Sequence, residues 1–312
     1  MDINRYSPTY KVNKIHMTKL TGYTSEEIFE LLYAVKAMKA KFNAHEETKI
    51  LTGVTVALLF NDTSLRTRSA LEIGARQLGA ECVNLPYSEK DMRAGENVKD
   101  ILSVITRYGV GALVTRGIAQ PDLDAFMEVS TIPIINSTND DFVPMEVICD
   151  LFTIWEKKRK LEGLKLAYVG KGTNTAATLI MGAIKCGMEV TVSIPNEYPI
   201  KCEHLETAEQ YGKINMVADP VAAVKDADIV YTDGYSYHDV ITKEELAILK
   251  PYQVTKSLMA NAKADAFFMH PLPATRGVEV TAEVIDGKNS IVYEQAENRL
   301  HTVKAVLALL VR

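Results

Sequence analysis

The chain has 312 residues, 47% of them hydrophobic and 24% charged, with 35 basic against 40 acidic side chains for a net charge of −5. This mix excludes a disordered, collagen-like or low-complexity chain, and the length suits two domains of ~150 residues. No basic block offers a footprint for nucleic acid, no apolar run nears the ~20 residues of a membrane span, and the opening MDINRYSPTYK lacks the apolar core of a secretion signal.

Apolar runs alternate with amphipathic segments nearly throughout. The spacing of Ile28, Leu31, Leu32, Val35 and Met38 predicts a helix over 24–41, capped by Thr24 or Ser25. A continuous apolar strand is expected over 54–60, a helix over 68–78 ending at Gly79, a strand over 82–85 and a helix over 98–107. Strands at 112–115 and 132–135 flank a helix at 123–129. A long helix over 145–160 ends in the solvated run EKKRK, where basic residues suit the helix dipole. The alternation then restarts, with strands at 166–169, 189–193, 229–231 and 266–269, helices at 176–186, 202–211 and 221–225, and a final amphipathic helix over 297–311. Strands without period-two polarity point to parallel sheets buried on both faces. The fold expected is α/β, two doubly wound parallel-sheet domains with the C-terminal helix returning to the first. A cleft between two such blocks is a favoured ligand site. The four cysteines, Cys82, Cys149, Cys186 and Cys202, show no CxxC spacing and read as reduced thiols of a cytoplasmic protein.

Three segments carry chemistry. In the first, Ser64-Leu65-Arg66-Thr67-Arg68 lies between a strand and a helix. Free backbone N–H groups and ~0.5 of a positive charge converge at such a junction. Two hydroxyls and two arginines in one turn exceed what capping requires, and an arginine fork grips phosphate bidentately. In the second, His270-Pro271-Leu272-Pro273 follows an apolar strand, and the prolines stiffen the backbone and leave carbonyls exposed. By itself this reads as a rigid loop with a structural histidine. In the third, Glu294–His301 opens the last helix, where a Glu–Arg pair is commonly a local ion pair. No HExxH motif or Cys/His cluster suggests a metal, and a dinucleotide fingerprint from Gly170 and Gly172 would need glycine where Thr175 stands. His16, His45 and His204 read as surface residues.

Together SLRTR, HPLPA and AENRLHT resemble the aspartate/ornithine carbamoyltransferase family across essentially the whole chain, with its SxRTR, HxLP and ENR motifs. The segments 95–100 and 169–174 extend the likeness, and 273–290 looks closest to the ornithine/putrescine branch. The resemblance implies a carbamoyl-phosphate-binding domain over 1–145, an amine-binding domain over 146–295 and a C-terminal helix over 296–312. It implies transfer of the carbamoyl group of carbamoyl phosphate to a small amine or amino acid, with no metal or cofactor, in a homotrimer; Arg93 reads either as part of a loop lent to a neighbouring subunit or as a solvated loop arginine. Catalysis would fall to Arg66, Arg116 and His270. Ser64, Leu65, Arg66, Thr67, Arg116, Glu146, Pro271, Leu272 and Arg299 would hold the donor, and Asn174, Asp233, Ser236 and Tyr237 the acceptor.

Two departures stand out. The acceptor loop is Gly234-Tyr235-Ser236-Tyr237-His238-Asp239, where the ornithine branch carries Ser-Met-Gly. Val143 and Glu146 stand where the family motif HPxQ has histidine and glutamine. Losing one preorganised donor costs on the order of 10²–10³ in rate. The implied outcomes are a slow enzyme, substitution by a residue such as His238, or a changed donor. The alternative is a catalytically weakened paralogue with a ligand-binding role.

Overall fold

A computed structural model of the chain describes residues 2–61, 64–86, 98–236 and 241–311. It divides into two compact units. The N-terminal unit comprises Tyr6–Phe152 and the chain from Asn298 onward, and the C-terminal unit comprises Thr153–Glu297 and the first five residues.

The N-terminal unit contains helix α1 (Ser25–Asn43), β1 (Thr55–Phe60), α2 (Leu65–Gln77), β2 (Glu81–Pro86), α3 (Val98–Arg107), β3 (Val110–Arg116), α4 (Gln120–Val129), β4 (Ile134–Thr138) and the start of α5 (Pro144–Lys158). The strands form one parallel sheet in the order β2-β1-β3-β4. Every β1 residue after Thr55 is buried, as expected of a strand covered by helices on both faces. Ala57, Leu59, Leu113 and Ile134 pack with Leu102, Leu123 and Phe126 from α3 and α4. The chain runs outward from β1 to β2, then crosses back to place β3 on the other side of β1. The reversal leaves a switch point at the carboxyl ends of β1 and β3, where open α/β sheets bind ligands.

The C-terminal unit repeats this plan. After α5 come β5 (Lys165–Val169), α6 (Asn174–Lys185), β6 (Glu189–Ser193), α7 (Cys202–Glu209), β7 (Ile214–Met216), α8 (Pro220–Val224) and β8 (Ile229–Tyr231). Then follow α9 (Lys243–Leu249), α10 (Lys256–Met259), β9 (Phe267–Met269), α11 (Ala282–Ile285) and α12 (Val292–Leu310). The parallel order β7-β6-β5-β8-β9 puts a second switch point between β5 and β8. From Asn298 onward α12 belongs to the N-terminal unit, where it packs on α2. A Cβ on Gly74 would come 2.9 Å from Val303 Cγ1, so the two helices meet at a residue that has none.

Several boundaries differ from the sequence expectation. Helix α2 begins at Leu65 and not Arg68, because Ser64 caps it and accepts from Thr67 N. Leu65, Arg66 and Thr67 therefore occupy its first turn. Helix α12 begins at Val292, not Glu297. Strand β7 was not foreseen, since only Ile214 of its three residues is buried and no apolar run marks it. Helix α9 was also not foreseen, although Thr242 and Glu245 form the capping box that announces it. His16 is not a surface residue: it is half-buried, its Nδ1 accepts from Ile134 N at 3.1 Å, and burial lowers its pKa.

Candidate active site

The carboxyl edge of the first sheet is built from paired strand ends. Phe60 and Arg116 are register partners at the ends of β1 and β3. Asn61 N donates to Arg116 O at 2.9 Å, and Gly117 N donates to Thr138 O at 2.8 Å. Gly117 has φ +71°, and a Cβ there would sit 3.0 Å from Asn61 Cβ, so only glycine lets the two turns approach so closely. Onto this edge the fold brings the first turn of α2, with Ser64 half-buried at the cap, Leu65 exposed, Arg66 half-buried and Thr67 buried. Arg68 lies over the Phe60 ring, 5.5 Å from its centroid. The first turn of α2 contains no acidic residue. The positive end of this helix, with Arg66 on α2 and Arg116 at the end of β3, suits a dianion.

The next loop is held by Asn139, whose Oδ1 accepts from Asp141 N at 3.0 Å and Phe142 N at 2.7 Å. Val143 is buried just ahead of α5, and Glu146 lies in that helix's first turn. Arg299 does not pair within its own helix as the sequence suggested. Its Nη2 donates to Glu146, with side chains only 10% and 16% exposed, while Glu294 pairs with Lys157.

The residues expected to hold the acceptor follow the carboxyl ends of β5 and β8 in the second sheet. Asp233 follows β8 and is fully buried. Its Oδ2 accepts from Thr173 Oγ1 at 2.9 Å and its Oδ1 from Gly234 N at 2.8 Å. Thr173 is also the cap of α6, accepting from Ala176 N at 3.1 Å. The half-buried Asn174 opens that helix, and its Oδ1 accepts from Thr175 N at 2.8 Å. A Cβ on Gly170 would come 2.7 Å from Thr232 Oγ1 and 3.1 Å from Tyr235 Cε1, so β5 and β8 turn against each other through a glycine. Lys171 Nζ donates to Tyr235 O at 3.1 Å and rests over the Tyr198 ring. Burial, with the Glu279 charge, pushes the Tyr235 phenol up. Ser236 is half-buried, whereas Tyr237, His238, Asp239 and Arg93 lie outside the described residues.

His270 is fully buried. Its backbone N donates to Gln295 Oε1 at 3.0 Å, and its Nδ1 accepts from Leu272 N at 2.9 Å. The imidazole proton therefore sits on Nε2, 3.4 Å from Glu279 Oε1. Its contacts hold the loop of buried Pro271 and half-buried Leu272, the latter at φ +56°. Sequence reasoning passed over Thr173 and Lys171. A threonine ahead of an apolar helix was a legible cap signal, but nothing local marked the lysine's reach to Tyr235.

Residues 15–156 match the family model for the aspartate/ornithine carbamoyltransferase carbamoyl-P binding domain, and residues 162–310 match its Asp/Orn binding domain. The chain belongs to the aspartate/ornithine carbamoyltransferase family. The anabolic ornithine carbamoyltransferase of Pyrococcus furiosus is 40% identical over 297 residues, 93% of this chain and 94% of that protein. The ornithine carbamoyltransferase of Methanosarcina acetivorans is 37% identical over 96% of this chain and all of its own. Among solved structures, ornithine carbamoyltransferase from Pyrococcus furiosus superimposes with a TM-score of 0.90 at 39% identity, covering 95% of this chain and 96% of that one. The Thermus thermophilus enzyme gives 0.86 at 31% identity over 96% and 100%. The family's two parallel sheets with flanking helices are those described above. Among the described residues no helix is long and apolar enough to cross a membrane.

Proposed function

We propose that this chain transfers the carbamoyl group of carbamoyl phosphate to the side-chain amine of ornithine, releasing phosphate. The observation that carries the reading is the meeting of the α2 N-terminus, Ser64, Arg66 and Thr67 with Arg116 across the β1/β3 switch point. Amides and hydroxyls of that turn bind the donor's phosphate, and Arg66 neutralises it. Arg116 bridges the phosphate and the carbonyl oxygen, stabilising the charge that develops there as the amine attacks. The acceptor's amino-acid end lies at the second switch point, its α-ammonium on Asp233 and its carboxylate side on Asn174 and Ser236, which leaves the side-chain amine uncharged to attack. His270 acts through the Pro271–Leu272 backbone that it holds. The active assembly is a homotrimer, a state that sedimentation would read directly.

Ornithine is favoured because relatives that cover 93–96% of this chain carry that name. The test is phosphate release from carbamoyl phosphate with ornithine, putrescine, lysine, aspartate or agmatine as acceptor. Release with ornithine above the others is expected. Binding of carbamoyl phosphate without release to any amine would overturn the reading in favour of a non-catalytic paralogue.

A further inference from the structure

Arg299 is packed against acidic side chains of α5. Glu146 accepts from its Nη2, and the fully buried Asp150 lies one turn further along α5. Burial by itself would lower the pKa of Arg299, yet Glu146 and Asp150 outweigh it and raise it. Cys149, on the same turn, responds to the same field: burial, then Asp150 and Glu146, push its thiol well above the usual range. A guanidinium neutralised in this way is not a lone cation offered to phosphate. In the family motif the position of Glu146 carries an uncharged glutamine, so the pair is one negative charge away from the family pattern. The loop before α5 leaves the first sheet at the carboxyl end of β4, the edge that carries Arg66 and Arg116.

On the donor-site reading above, we propose that Glu146 is a positioning residue that holds Arg299 and cancels its charge, so that the pair, and not Arg299 as a free cation, sets how tightly this site binds a dianion. The experiment titrates the full chain with inorganic phosphate in four forms: parent, Glu146→Gln, Arg299→Gln and the double variant. The pair's formal charge is neutral, plus one, minus one and neutral in that order. Phosphate binding should tighten about tenfold in Glu146→Gln and weaken about tenfold in Arg299→Gln, the scale of one charge acting through an effective dielectric of ~20. The double variant should return to within ~threefold of the parent, because its charge is restored. A purely structural role cannot produce this alternation, since damage to the fold weakens binding and does not tighten it. The double variant, which removes both buried charges together, is the form least prone to misfold. A double variant as weak as Arg299→Gln would mean that Arg299 grips the phosphate itself and would overturn the proposal. So would a Glu146→Gln that binds phosphate no tighter than the parent. Arg66→Ala in the same titration separates the two levels. If it binds phosphate like the parent, the donor-site reading fails. If it loses phosphate while Glu146→Gln is unchanged, only the inference about Glu146 falls.

Discussion

Replacing Arg66 by alanine should abolish donor binding and leave the protein no less stable. Arg66 sits in the first turn of α2, which holds no acidic residue. A cation there opposes the helix dipole, at a cost of ~0.3–1 kcal/mol, and alanine is also the better helix former. A gain of ~0.5–1 kcal/mol corresponds to a rise of roughly 1–4 °C in Tm for units of this size. On the ligand side, a bidentate grip on phosphate comprises two charge-assisted hydrogen bonds at ~1.5–3 kcal/mol each. Their loss weakens donor binding by at least ~100-fold. The assay pairs thermal unfolding with titration of carbamoyl phosphate. Donor affinity within ~threefold of the parent would refute the placement of the phosphate. A fall in Tm beyond ~5 °C would refute the claim that Arg66 is kept for the ligand at the fold's expense.

Thr173→Val should lower stability by about 2–4 kcal/mol, since it removes the α6 cap and one partner of the buried Asp233 carboxylate, and it should raise the KM for the acceptor. Thr173→Ser should restore both, and a serine variant as impaired as valine would show that the hydroxyl is not what matters. Glu30 accepts from Tyr6 OH, Thr9 N, Thr9 Oγ1 and Tyr10 N. Burial would raise its pKa, but these four donors hold it below the ordinary carboxylate value. Its stabilisation is therefore complete above the unfolded pKa of ~4.3 and disappears as pH falls through the lower folded value. Glu30→Gln should flatten that acid limb in unfolding curves taken from pH 7 down to 3, and an unchanged limb would assign it to other carboxylates. Burial raises Cys82 to about 11 and Cys186 to about 12, with Cys149 also pushed up, while Cys202 is exposed. Native thiol titration should find one fast thiol, lost in Cys202→Ser, and a second fast thiol would contradict the packing around the other three.

Much of the architecture was legible because its signals are local. Apolar runs such as 56–60 and 166–169 mark strands covered on both faces, and Thr24 marks the start of α1 through a hydroxyl that serves a backbone N–H three residues on, a signal also present at Ser64 and Thr173, where the helices were expected three and two residues too late. The SLRTR segment announced a strand-to-helix junction for the same reason, and Ser64 does cap the helix that Leu65, Arg66 and Thr67 open. Tertiary structure decided which strand ends lie side by side. Strand order puts Arg116 beside Phe60, and Thr173 reaches Asp233 across 60 positions. Arg299 finds its carboxylate on α5, 153 positions earlier, and not on its own helix. No periodicity encodes such pairings, because charge attraction acts between whatever side chains the packed elements bring together, and burial then decides how much each pair is worth.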